Sequence, residues 1–469
     1  MTKKGGCNRV PDMQFIDFDQ FCSYAESLTN LEKQTSNYSL RVYRLDRMKA
    51  LLNHIENPQN KFKSLHVAGS KGKGSTAGFL AQGLKALGYK TALYSSPHLI
   101  DYRERFTLSG TFFSEQQLLL AANTLYSLIE DFQFSDEYGQ SEITTFELLT
   151  AYAFFLFAQT ECQWAVIEVG LGGRLDATNV LQSEAAIITL IEKEHTSILG
   201  NTLKEIALEK AKIIKENRPV FISYQADESK AIFYQESQNK NSKLFDLSKE
   251  VKYLTNVTSL EGQNVFIEWQ NGDKTSLRLK MLGTSQGENA TLALMVLKHL
   301  NLYKPQVSEK ALENTFLPGR MEIIATKPYL MIDGAHTVQS LKNLIASFVQ
   351  LFGFSGNTLI YGALEDKDHQ HMISLILPHF DKIIVSRPGT FKKSDIDSLY
   401  MFIKQEALKS GREIAVYLEK ESDDALNLAL SLTESSNAIL CTGSFYMGGE
   451  IVRSYKKREK IKKYVSKLS

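Results

Sequence analysis

Short apolar runs alternate with stretches of three-and-four periodicity over most of this chain, the pattern of parallel strands joined by crossover helices. Lys63–Gly69 reads as a strand. The helix after it, Ser75–Leu87, carries the apolar stripe Ala77, Leu80, Leu84 and Leu87, and Thr91–Ser95 reads as the next strand. A helix follows from about Glu115, with Ser114 and Gln117 placed as a capping box. Leu148–Ala158 is apolar almost throughout, too short to span a bilayer, and reads as a buried helix opened by Thr144 and Glu147. Trp164–Val169 and Ala185–Ile191 supply two more buried strands.

Between about Ser242 and Met281 the period changes to two. Asn271-Gly272 marks a hairpin turn between Val265–Trp269 and Ser276–Lys280, so this segment is expected as an antiparallel appendage on the first block. After a helix near Asn289–Leu300, Leu317-Pro318-Gly319-Arg320 breaks both periodicities and is taken as a domain boundary. A second βα series follows, with strands at Tyr329–Ile332, Thr358–Tyr361, Lys382–Ser386, Glu413–Leu418 and Ala438–Cys441. The expected fold class is therefore α/β. Residues 1–317 form a phosphate-loop, ATPase-like domain with a parallel sheet and a small antiparallel appendage, and residues 318–469 a smaller Rossmann-like domain. No G-x-G-x-x-G follows the first strand of the second block, so its likeness to a dinucleotide-binding fold is one of layout alone.

Composition narrows the function classes. With 43% hydrophobic and 23% charged residues among 469, the chain has enough apolar surface for real cores and is neither disordered nor fibrous. Fifty-four basic side chains against 53 acidic ones leave a formal charge of +1, so no global field draws in nucleic acid or an anionic membrane, and neither is expected as a partner. The basic run Arg453–Lys467, eight lysines and arginines with Glu459, reads as a solvated helix face. Cys7, Cys22, Cys162 and Cys441 lie far apart, which suggests neither a zinc site nor a disulfide framework and fits a reducing cytoplasm. Met1–Phe15 has charge and glycine without an apolar run, so it is expected as a short arm and not a secretory signal.

The sharpest chemical signal is Gly69-Ser70-Lys71-Gly72-Lys73-Gly74-Ser75-Thr76, between a strand and a helix. Glycines let successive N–H groups face one anion, and the helix start adds partial positive charge. Lys73 can reach the β and γ phosphates, and a hydroxyl can meet magnesium. The spacing departs from G-x-x-x-x-G-K-[ST], because Gly74 stands between Lys73 and Ser75. Glu168 ends its strand just before Val169-Gly170-Leu171-Gly172-Gly173 and would enter the same crevice if the two strands are neighbours.

His195 follows a strand end. Lys210 falls within the stripe Leu203, Ile206, Ala207, Ile213 and Ile214 of a helix capped by Thr202 and Glu205. Two readings stand for Lys210: an ammonium snorkelling to the surface, or a desolvated amine able to take up carbon dioxide as a carbamate. In the second block, Arg320 and His336 suit phosphate, and Asp333, at a strand end, suits a ribose hydroxyl; a capped turn accounts for them equally well.

Taken together and in order, several segments closely resemble folylpolyglutamate synthases and the related bifunctional dihydrofolate synthases of the Mur ligase superfamily. They are His66–Thr76, Ser95–Leu99, Glu168–Asn179, Glu209–Ala211, Pro318–Arg320 and Asp333–His336, with Gly362–Leu364 and Thr442–Ser444 matching later positions. The resemblance implies an ATP-dependent ligase that joins L-glutamate to the γ-carboxylate of folates, with dihydropteroate as a further acceptor. The rival is a Mur-type ligase acting on a peptidoglycan precursor.

The resemblance also implies roles for residues. Gly72, Lys73, Gly74, Ser75 and Thr76 would bind the phosphates, with Asn289 beside the adenine. Arg320 and His336 would contact phosphate, and Asp333 the ribose. Ser96 and Glu168 would hold one Mg2+, and His195 and a carbamylated Lys210 would help bind a second, with Glu168 shared. Pro97, His98, Phe146 and Glu147 would bound the folate pocket. Lys73, Lys210 and His336 are the implied catalytic groups, in a monomer. Lys71, Glu194 and Thr337 depart from the commoner residues at their positions.

Overall fold

The computed structural model describes residues 15–30, 44–138, 142–389 and 394–468. Cys7 and all of the N-terminal arm except Phe15 lie outside them. The first block is built on β1 Lys63–Ala68, β2 Thr91–Tyr94, β3 Phe106–Leu108, β4 Thr111–Phe112, β5 Trp164–Glu168, β6 Ala185–Ile188, β7 Val220–Ile222 and β8 Leu244–Asp246. They form one sheet in the order β4-β3-β2-β5-β1-β6-β7-β8. From β2 to β8 all neighbours are parallel, and β3 and β4 extend one edge antiparallel.

Two expectations change here. The segment from Ser242 does not begin the appendage, because β8 completes the main sheet; the antiparallel unit is β9 Val251–Ser259, β10 Gly262–Trp269 and β11 Lys274–Leu279. The hairpin at Asn271-Gly272 stands where expected, with Gly272 at φ 89°. The strand expected over Ala185–Ile191 stops at Ile188, after which the chain turns across the site.

Both faces of the sheet are covered, so its central strands are mostly apolar, with a few buried polar residues such as Ser64, His66 and Glu168. On one face the helices Phe18–Ser27, Leu45–His54, Glu115–Ile129 and Thr145–Gln159 enclose an aromatic core that includes Phe18, Phe21, Phe106 and Tyr152. The first two of these helices had no counterpart in the sequence reading. The capping boxes at Ser114, Thr144 and Thr202 all form. On the other face, the helices Lys73–Ala86 and Thr284–His299 pack together over β1 and β5.

The second block has six strands: β12 Glu322–Thr326, β13 Tyr329–Ile332, β14 Thr358–Tyr361, β15 Lys382–Val385, β16 Ala415–Leu418 and β17 Ala438–Thr442. Their order is β12-β13-β17-β14-β15-β16. The unexpected member is β12, paired antiparallel to β13; it lies half-buried at an edge and lacks the full apolar run of the central strands. The C-terminal helix Phe445–Leu468 turns its basic run partly onto a neighbouring helix, with Lys457 paired to Asp423 and Arg458 donating to Asn427. No helix among the described residues is long and apolar enough to cross a membrane.

Candidate active site

Parallel strands deliver their carboxyl ends to one side of the sheet, and β5 lies between β1 and β2, with Glu168 in register with Val67. The loops after β1, β2, β5 and β6 therefore meet. Together with the start of the second block they line a cavity of about 430 Å³.

Gly72 is the N-cap of the helix Lys73–Ala86, at φ 84°, a conformation that favours glycine. A Cβ there would also fall on the Asn289 carboxamide, so Asn289 packs against the phosphate loop itself. Thr76 Oγ1 donates to Asn289 Oδ1 at 3.4 Å. The N–H groups of Ser70 and Lys71 donate to the Leu190 carbonyl at 2.9 and 3.1 Å, tying the loop to the chain beyond β6.

Glu168 is buried, and its Oε2 accepts from the Ser96 N–H at 3.2 Å. Burial raises its carboxyl above the ordinary range, against the pull of Lys73 and Arg320. Around Gly74 these groups converge: a Cβ at that position would stand 3.2 Å from Glu168 Oε2 and 3.7 Å from an Arg320 Nη. The first helical turn after the phosphate loop thus faces a carboxylate from one domain and a guanidinium from the other.

Lys210 is not a snorkelling lysine. It is 2% exposed, and its Nζ donates to the Gly69 carbonyl at 2.7 Å and pairs with Glu194 Oε1 at 3.4 Å. Burial draws its ammonium down to about 8, with Glu194 opposing. The helix that carries it ends at Ala211, so Ile213 and Ile214 continue the apolar contact from beyond the helix end. Lys71 approaches the other oxygen of Glu194 at 3.5 Å. Burial alone would raise the Glu194 carboxyl, but Lys73, Lys210 and Lys71 outweigh it and hold it at about 2. His195 is neutral at pH 7, burial having lowered it to about 4.

From the second block, Asp333 accepts from the Met321 and Ala335 N–H groups at 2.9 and 2.8 Å, which fastens the turn that presents Arg320. His336 Nδ1 donates to the Gly334 carbonyl at 2.8 Å, and burial holds the ring neutral, at about 3, so Nε2 carries the lone pair. Phe146 and Glu147 line the cavity with Pro97. His98 is turned away: its Nδ1 accepts from Arg105 Nε at 3.0 Å and its ring lies 4.2 Å from that of Tyr102.

The sequence reading gave no role to Arg47, which is fully buried and grips Glu147 through Nε at 2.9 Å and Nη2 at 3.1 Å. An arginine at helical spacing from Met48, Leu51 and Leu52 was the available signal. Asp176 was also missed. It is buried against the cavity, accepting from the Leu171 and Thr178 N–H groups.

Comparison with known proteins identifies the family. Residues 67–297 match the Mur ligase middle domain and residues 319–445 the Mur ligase glutamate ligase domain. The dihydrofolate synthase/folylpolyglutamate synthase of Bacillus subtilis is 30% identical over 418 residues, 88% of this chain and 95% of that protein. The chain belongs to the dihydrofolate synthase/folylpolyglutamate synthase family. Folylpolyglutamate synthase of Lacticaseibacillus casei is also 30% identical, over 86% of this chain and 92% of its own. Among solved members of the family, the Mycobacterium tuberculosis folylpolyglutamate synthase complexed with ADP and AMPPCP superposes with a TM-score of 0.80 at 28% identity. That match covers 87% of this chain and 94% of the other.

Proposed function

We propose that this protein is an ATP-dependent ligase that adds L-glutamate to the γ-carboxylate of folates, with dihydropteroate as a further acceptor, working as a monomer in the cytoplasm. The observation that carries the reading is the convergence of Glu168 and Arg320, from different domains, on the first turn after the phosphate loop. The named relatives are folate enzymes, which weighs against the peptidoglycan precursor raised by the sequence. The working division of the chain is at residues 317 and 318.

In the proposed reaction a folate carboxylate oxygen attacks the γ-phosphorus of ATP, the β–γ bridge bond breaks, and an acyl phosphate and ADP form. The α-amine of glutamate then attacks the acyl carbon, loses a proton, and phosphate leaves. Gly72, Gly74 and Ser75 hold the phosphates by loop N–H groups and a hydroxyl, and Lys73 and Arg320 offset their charge. Thr76, expected with them, is fully buried with its N–H on the Gly72 carbonyl and its hydroxyl on Asn289, so it braces the loop instead. Asn289 fixes the loop next to the nucleotide, and Asp333 would take a ribose hydroxyl on an oxygen that already accepts from the backbone. His336, neutral when the site is empty of phosphate, gains a proton in the field of the anion and then donates from Nε2. Pro97, Phe146 and Glu147 bound the folate side; His98 serves that side through Arg105 and Tyr102, not by contact.

The residues present fit magnesium. Glu168 is a buried carboxylate with the hydroxyl residues Ser75 and Ser96 in the same cavity wall, a set of hard oxygen donors. Among the described residues no group of three or more His, Cys, Asp or Glu side chains is placed to hold a metal by itself, and magnesium held by Glu168 and the hydroxyls would take further oxygen ligands from phosphate and water. Bound magnesium would supply charge neutralisation on the triphosphate. We assign Ser96 and Glu168 to one ion, and His195 with Lys210, as its carbamate, to a second.

The test is direct. Purified protein is incubated with ATP, magnesium, glutamate and either tetrahydrofolate or dihydropteroate, and the products are weighed. A gain of one glutamyl residue per ADP released supports the reading, whereas ATP consumption with neither acceptor extended overturns it.

A further inference from the structure

The loop between β2 and β3 spans the two domains. At its start, the Ser95 N–H donates to the Arg105 carbonyl at 3.1 Å and the Ser96 N–H to Glu168 Oε2. Three residues on, Leu99 leaves the first domain. It is 4% exposed, and apart from its neighbour Ile100 the apolar cluster that buries it comes from the second domain, including Leu330, Ile332, Met447 and Ile451.

This socket is shaped for the segment. A Cβ on Gly319 would approach Leu99 Cδ1 to 3.1 Å, and one on Gly449 would fall on the Leu99 carbonyl oxygen. On the surface, Arg453 Nη2 donates to the Ile100 carbonyl at 2.8 Å. The loop is also stiffened from within. Glu104 accepts the N–H groups of Leu99, Ile100 and Asp101 at 2.7, 3.0 and 3.0 Å, and its own carbonyl accepts from Ser95 Oγ at 3.3 Å, so one residue holds both ends of the stretch from Ser95 to Leu99 and a shift at Leu99 is passed to Ser96.

We propose that Leu99 is a positioning residue: seated in the second domain, it sets the place of Ser96 and through it of Glu168, so that the carboxylate is aligned only when both domains hold the loop. The inference rests on the ligase reading above for its catalytic consequence. Its structural content is separate, because the strut connects the groups that converge on Gly74 by a second route. Arg320 comes from the second domain directly, and Glu168 is steered by that domain through Leu99.

The experiment compares wild type, Leu99→Ala, Leu99→Met and Arg453→Gln in the full chain, by steady-state kinetics and by amide hydrogen exchange without substrate. In Leu99→Ala, exchange across residues 95–101 should quicken by about tenfold while that of β5 stays unchanged, since the strand's bonds do not depend on the socket. The same variant should lose about tenfold in kcat with KM for ATP within about threefold, the split expected of misalignment as opposed to lost binding. Leu99→Met should stay within about twofold of wild type, because an unbranched side chain of similar volume refills the socket. Arg453→Gln, at the surface, gives the same signature at about threefold and serves if Leu99→Ala does not fold.

Unchanged exchange over 95–101 in both Leu99→Ala and Arg453→Gln overturns the proposal. So does a loss confined to KM for ATP, or a loss that Leu99→Met shares in full. Should wild type extend no folate, the ligase reading fails while the exchange result still decides the strut.

Discussion

The Lys210 ammonium donates to the carbonyl of Gly69 at 2.7 Å, so the helix Leu203–Ala211 is fastened to the first residue of the phosphate loop. This bond gives Lys210 a place in the site whatever its covalent state. Burial draws the ammonium down to about 8, which favours the unprotonated amine, the form that takes up carbon dioxide, more than in an exposed lysine.

Lys210→Ala is expected to lower kcat by at least about a hundredfold, and a short carboxylic acid such as acetate should restore part of it by standing in for the carbamate. ADP release measured against acetate concentration reads this. A flat response would leave Lys210 as an ammonium anchor for Gly69 and Glu194.

Glu168→Gln keeps the shape of the side chain and an oxygen to accept from Ser96, so the fold should persist while the anion is lost. Glutamate-dependent ADP release should fall by at least about a hundredfold. Unaltered circular dichroism alongside that loss separates the chemistry from stability; turnover near the wild-type rate would remove Glu168 from the site.

Glu194 stands between Lys71 and Lys210, and its carboxyl is depressed to about 2. A depressed carboxylate stabilises the fold fully above its unfolded value near 4.5, and the contribution disappears as pH falls through the folded value. In protein freed of bicarbonate, where Lys210 is the ammonium and not the carbamate, Glu194→Gln should therefore destabilise the fold at pH 7 by about 3 kcal/mol, with Lys210 left buried and uncompensated. Denaturant melts of wild type and variant should converge as pH drops from about 4.5 toward 2. A gap independent of pH would contradict the assignment.

Arg47→Met tests the buried pair with Glu147. Removing one partner leaves the buried Glu147 carboxylate with only its Thr144 bonds, so a loss of about 3 kcal/mol is expected, read from the shift of the unfolding midpoint. Glu147→Gln in the same background should recover part of it, because the capping bond to Thr144 survives while the stranded charge is gone.

Much of the fold was legible because burial on both faces of a parallel sheet leaves an uninterrupted apolar run. β13, Tyr329–Ile332, and β14, Thr358–Tyr361, fall where the runs do. The edge strand β12 was not legible, because a half-buried edge has no such run. The helices Phe18–Ser27 and Leu45–His54 do carry the three-and-four period, in Phe18, Phe21, Cys22 and Ala25 and in Met48, Leu51 and Leu52, and the sequence reading passed over them.

The sequence by itself determined the phosphate loop, the capped helix starts, the alternation of strand and helix and the family, since each is written in neighbouring residues. Only the tertiary structure decided that Lys210 reaches Gly69, that Arg47 neutralises Glu147, and that Leu99 is housed in the other domain. The physical reason is separation along the chain. These contacts join residues up to hundreds of positions apart, and which of many possible partners a buried charge or leucine meets is settled by strand order and packing, which no local spacing records.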